Sequence, residues 1–109
     1  MARAIYRRGK PYARRARHYI RLAAQPELDR TLDRYEMALI EELRETVTAR
    51  ELECLEHYYV RQLGIADIAG QLEINISTVS RNIRRGEAKL DRLTRLAGRI
   101  SPVRPGRTA

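Results

Sequence analysis

The sequence contains a single cysteine and neither tryptophan nor phenylalanine. A lone Cys54 excludes a disulfide framework and any multi-cysteine zinc module. Cys54 and His57 stand three positions apart, yet nothing else supplies the rest of a four-ligand site. Cys54 therefore reads as a core thiol and His57 as a surface imidazole, and no metal is expected. No uncharged apolar run approaches about 18 residues, and no apolar stretch follows the N-terminal positive charges, so neither a membrane span nor a secretory signal is expected. The expected location is the reducing cytoplasm. Gly64 and Gly70 do not form a phosphate-cradling loop, and no Gly-x-x-x-x-Gly-Lys run exists. Glu41, Glu42 and Glu45 read as a solvated helix face, and no serine, histidine and acid fall into a nucleophile motif. No catalytic residue and no cofactor are expected, which disfavours an enzyme.

What the chain does have is charge. Its 109 residues carry a formal +8, a length suited to one small core. Residues 1–21 hold eight Lys/Arg and no acid, residues 22–74 hold five against twelve Asp/Glu, and residues 75–109 hold nine against two. A basic arm, an acidic middle and a basic end suit a body that offers selected surfaces to a polyanion.

Residues 1–25 combine Gly9 and Pro11 with an Arg-rich composition and few large apolar side chains, which predicts a flexible basic arm. Ala16, Tyr19, Ile20 and Ala23 recur at helical spacing, so residues 12–24 are able to become helical on a partner. Pro26 and Glu27 suit the opening turn of a helix, and Leu28, Leu32, Tyr35, Leu39 and Leu43 extend one apolar stripe to about Glu45. Thr48-Ala49-Arg50-Glu51 is a capping box, with Val47 and Leu52 as its hydrophobic staple, so a second helix starts at residue 49 and ends near Gln62. Its inward stripe is Leu52, Leu55 and Tyr59. A short apolar segment covers 65–72. Asn75 then caps a further helix, with Ile74 and Val79 as staple, running to Gly98. The fold class is all-α: a small helical bundle over 26–98 containing a helix-turn-helix, with a disordered or partly helical basic N-terminal arm over 1–25 and a disordered tail over 99–109.

Two short helices joined by a tight turn form the unit that lays its second helix in the DNA major groove. Ile68, Leu72, Ile74, Val79 and Ile83 are apolar where the pair must face each other, and Ala69 is small where the backbones approach. On the last helix Val79, Ile83, Gly86, Leu90 and Leu93 share one side, while Ser77, Ser80, Arg81, Arg84 and Ala88 share the opposite one. Ser77, Ser80 and Arg81 are the base-reading candidates, since a hydroxyl pairs with any base and an arginine bonds guanine bidentately. Thr78, Arg84, Arg85 and Lys89 are the backbone candidates. Arg7, Arg8, Arg14, Arg15 and Arg17 are arm candidates for phosphate. Leu90, Leu93 and Leu96 serve either to seal the monomer or to pair two copies into a homodimer. The acidic middle, with Glu36, Glu41, Glu42 and Glu45, either keeps the far side off DNA or docks protein.

The run from Val47 through Thr48-Ala49-Arg50-Glu51-Leu52-Glu53-Cys54-Leu55-Glu56, then Tyr59, Leu63-Gly64-Ile65-Ala66-Asp67-Ile68-Ala69, Ile74 and Ile76-Ser77-Thr78-Val79-Ser80-Arg81, resembles region four of bacterial sigma factors and related small sigma-like regulators. The resemblance covers roughly 32–97. It implies a helical bundle whose helix 76–97 docks in the major groove of double-stranded DNA at a promoter, with Ser77, Ser80 and Arg81 facing bases, Arg84 and Arg85 facing backbone, and RNA polymerase as a further partner. Three positions depart from the family pattern. Glu73 stands in the turn where the family has glycine, so either that residue is strained or the turn geometry shifts. Ile76 and Ser77 replace the longer charged side chains of primary sigma factors. The function expected is a DNA-binding transcriptional regulator of the sigma-region-four type. The alternatives are an adaptor for RNA polymerase or a sigma factor without DNA recognition of its own, and RNA binding through the arm.

Overall fold

The computed structural model describes the backbone of residues 11–100 and side chains over 13–95. Arg7 and Arg8 of the expected arm, residues 101–109 of the expected tail and the Leu96 side chain lie outside the described residues. All regular structure among the described residues is helical, in the order α1 (Pro11–Ala24), a 3-10 helix (Pro26–Thr31), α2 (Arg34–Thr46), α3 (Ala49–Leu55) continuing as a π-helical stretch (Glu56–Val60), α4 (Ile65–Leu72) and α5 (Ile76–Ile100). The expected class, an all-α bundle with a partly helical basic segment at its N-terminal end, holds.

The part of the arm from residue 11 onward is not a loose tether. Ala13, Ala16, Ile20, Leu22 and Ala23 are buried in the core, and α1 packs on α2, α3 and the π-helical stretch. Alanines supply little of the large apolar signal that marks a core helix in sequence, yet they let one helix lie close against its neighbours. Arg44 of α2 secures the C-terminal end of α1. Its guanidinium donates to the Leu22 and Ala23 carbonyls, both at 3.0 Å, and forks onto both oxygens of Asp29 at 2.9 and 3.1 Å. Carbonyls at a helix C-terminal end have no intrahelical donor; the Gln25 N–H reaches Leu22 only at 3.4 Å, and Arg44 supplies the shorter bonds.

The helix expected from Pro26 to Glu45 is broken in two. Asp33 caps α2 by accepting from the Glu36 N–H at 2.7 Å, while Glu36 accepts from the Asp33 N–H at 3.2 Å. This reciprocal box starts a new helix and leaves 26–31 as a 3-10 piece. The Thr48 box forms as expected, with Glu51 N–H to Thr48 Oγ1 at 3.1 Å and Thr48 N–H to Glu51 Oε1 at 3.0 Å.

α3 then departs from α-geometry. His57, Tyr58 and Tyr59 are three consecutive buried residues, which a regular α-helix with one inward stripe does not accommodate. The wider π turn brings all three inward. His57 is therefore a buried imidazole rather than the surface one expected, and its Nδ1 has no hydrogen-bond partner among the described residues. The Tyr59 hydroxyl donates to the buried Glu87 carboxylate on α5, and its carbonyl accepts from Arg17 Nε at 3.3 Å, so Tyr59 links α1 to α5. Arg17 of the arm candidates is thus committed to the body of the protein.

α5 crosses α2, α3 and α4 and supplies Val79, Ile83 and Leu90 to the core. It comes close to α3 at Gly86, where a Cβ would lie 2.6 Å from Leu55 Cδ1 and 3.0 Å from Leu55 Cγ. The helix does not stop at Gly98 but runs on to Ile100.

Candidate nucleic-acid interface

α4 and α5 pack against each other through the residues the pattern indicated: Ile68, Ala69, Val79 and Ile83 are buried, and Leu72 and Ile74 are half-buried against them. Residues 73–75 make the turn. Glu73 has φ 58° and ψ 47°, the left-handed conformation, so the strained-residue alternative holds and the turn keeps its geometry. The reversal closes with the Ile74 N–H donating to the Ala69 carbonyl at 3.1 Å, and α5 begins with the Val79 N–H donating to the Asn75 carbonyl at 3.1 Å. The αL residue and the bond back to the Ala69 carbonyl make a Schellman-type stop that fixes how α5 leaves α4.

The first turns of α5 face outward. Ser77 and Arg81 are exposed and Ser80 is half-buried at the margin, whereas Val79 and Ile83 on the opposite side are fully buried. Arg84 and Arg85 are exposed one turn further along, followed by Arg92 and Arg95. These last two were absent from the candidate set, although their spacing continues the same basic face. Thr78 is half-buried; its hydroxyl accepts from Arg81 Nη2 at 3.4 Å and its carbonyl from Asn82 Nδ2 at 2.8 Å. The long Arg81 contact is at the limit of a hydrogen bond and leaves the guanidinium fork largely uncommitted.

Lys89 is placed differently from the other backbone candidates. Its Nζ lies 2.7 Å from Glu51 Oε1, and the Glu51 side chain is only 5% exposed. Burial pushes the Glu51 carboxyl up, but the hydrogen bonds from Lys89 and from the Thr48 N–H, with the charges of Lys89 and Arg85, outweigh it and hold the group below its ordinary 4.5. Lys89 therefore joins α5 to the capping box of α3. On α1, Arg14 and Arg15 are exposed together with Arg21. Leu90 is buried in the core and Leu93 packs against it.

Among the described residues no three His, Cys, Asp or Glu side chains gather into a metal-holding group. Burial raises the Cys54 thiol to about 11, which keeps it protonated and unreactive at neutral pH. No helix among the described residues is long and apolar enough to cross a membrane.

Residues 37–90 match the family model for sigma-70, region 4. The chain carries a sigma region four-like helix-turn-helix domain. The matched span takes in most of α2, the capping box of α3, the α4–α5 turn and the outward face of α5 as far as Leu90, while α1 precedes it. The match supports a DNA-binding or RNA polymerase-related role. No curated protein and no solved structure matches the chain.

Proposed function

We propose that this chain is a sequence-specific double-stranded DNA-binding transcriptional regulator of the sigma-region-four type, which docks α5 in the major groove and performs no catalysis. The observation that carries the reading is the two-sided character of α5: Ser77, Ser80 and Arg81 reach solvent while Val79 and Ile83 seal the core. Ser77 and Ser80 meet base edges near the helix start, and Arg81 bonds guanine bidentately. Arg84 and Arg85 pair with phosphate, fixing register and giving salt-dependent affinity. Arg14 and Arg15 offer a second, weaker phosphate-facing surface. Lys89 supports the interface through Glu51 rather than touching DNA. Acting on chromosomal DNA places the protein in the cytoplasm, at the nucleoid. A single domain of this size binds weakly on its own, so pairing with RNA polymerase or with a second copy supplies the remaining affinity.

Selection of bound duplexes from a random pool, followed by salt-titrated binding, tests the proposal. A recovered motif with affinity above random duplex is expected, and random recovery with salt-insensitive binding contradicts it. The adaptor reading is favoured by the exposed acidic side chains Glu41, Glu42 and Glu45 of α2. Retention of polymerase in a pull-down with no affinity for duplex DNA would establish it instead.

A further inference from the structure

We infer that Ile76 is a specificity-determining residue that reads the C5 methyl group of thymine in the major groove, an inference that rests on the DNA-docking reading above. Ile76 is the first residue of α5 and is 54% exposed, the one large apolar side chain left in the open among the described residues. Single exposed apolar residues are ordinary on protein surfaces; the position is what gives this one meaning. It lies beside Ser77 and one turn ahead of Ser80. It also stands ahead of the apolar stripe whose next members, Val79 and Ile83, are fully buried. The stripe thus runs past the end of the core, and its first member is left uncovered by the described residues.

The placement is firmly held. The bonds from Ile74 to Ala69 and from Val79 to Asn75 bracket the residue on both sides. A β-branched side chain in a helix has one strongly preferred rotamer, so Ile76 loses little freedom when a partner covers it. The neighbours Ser77, Ser80 and Arg81 are polar, and an apolar protein groove closing over Ile76 would have to desolvate them without partners. The major groove satisfies both kinds of group at once. It offers donors and acceptors to the hydroxyls and the guanidinium, and its apolar feature is the thymine methyl. Serine hydroxyls pair with any base, so Ile76 adds discrimination that Ser77 and Ser80 do not provide.

The test uses the full chain and duplexes recovered by selection from a random pool, remade with deoxyuridine in place of each thymine in turn. This substitution deletes the methyl group and leaves the pairing unchanged. The wild type is expected to lose about fourfold in affinity at one thymine or more, the worth of one buried methyl. Ile76→Ala, an exposed change expected to melt like the wild type, should show a comparable loss on the thymine duplex and no further loss at that deoxyuridine. Equal methyl sensitivity in both proteins, or a recovered motif without thymine, overturns the inference. Sequence preference without methyl sensitivity removes the role of Ile76 and leaves groove docking standing, whereas absence of any duplex preference removes both.

Discussion

Glu73 holds a left-handed backbone at φ 58° without being glycine, a conformation that costs a residue with a Cβ roughly 1–2 kcal/mol. The turn nevertheless has the geometry of a glycine stop, because the buried contacts of Ile68, Ala69, Val79 and Ile83 determine it from both sides. Glu73→Gly should therefore raise stability by about 1 kcal/mol, read as a higher denaturation midpoint with an unchanged slope. Lys89 gives the complementary case. Sequence places it in the row of phosphate-facing cations, but its ammonium sits 2.7 Å from a carboxylate on α3. Lys89→Ala should cost about 2 kcal/mol of folding stability, because it strands a buried carboxylate. Its effect on DNA affinity, measured well below the melting temperature, should be small beside that of Arg84→Ala. A large selective loss of affinity with unchanged stability would return Lys89 to the interface.

Between elements, the crossing of α3 and α5 at Gly86 is a tight constraint. A methyl there would press on Leu55, itself 1% exposed and unable to move aside. Gly86→Ala gains about 1 kcal/mol in helix propensity against an overpacking cost of about 1–3 kcal/mol. The net expectation is a destabilisation of about 1 kcal/mol, visible in a urea melt. The helix-turn-helix and the Thr48 box were legible in the sequence because apolar periodicity and cap chemistry agreed there. Elsewhere two local signals competed. The spacing of Leu28, Leu32, Tyr35 and Leu39 runs straight through Asp33-x-x-Glu36, whose reciprocal bonds start a new helix. The helical spacing of α1 was legible, but its packing into the body was not: its buried face is mostly alanine, and the Arg-rich composition around it reads as solvated. The π-helical turn that buries His57 left no mark in the apolar periodicity, and within it the Tyr58 and Tyr59 rings meet edge to face with centroids 5.2 Å apart.

Across the described residues, acidic groups tie the helices together, while arginines of α1 and α5 such as Arg14, Arg15, Arg84 and Arg92 are exposed. The hydrogen bond from Arg44, opposed by desolvation and aided by its charge, holds Asp29 below its ordinary 3.8. Glu51, pushed up by burial but pulled down further by Lys89 and Thr48, also lies below its ordinary value. Both groups are bound more favourably as carboxylates in the folded state, so the stability they contribute is present above the ordinary carboxylate range and is lost as pH falls through their lowered values. Melting temperature should hold near neutrality and decline below about pH 4.5, and Glu51→Gln, already weaker at neutral pH, should decline less steeply. An identical decline would mean that Glu51 does not couple α3 to α5 in the folded state.

The claim on which the functional account depends is that the outward face of α5 reads bases, and Arg81 tests it most directly. Binding of wild type and Arg81→Ala is compared on the selected duplex and on a scrambled one across a salt series, with Arg84→Ala as the reference for a phosphate contact. The account predicts that Arg81→Ala loses about 1–3 kcal/mol on the selected duplex and little on the scrambled one, while Arg84→Ala weakens both equally and lowers the salt slope by about one. Equal losses on both duplexes for Arg81→Ala would contradict it.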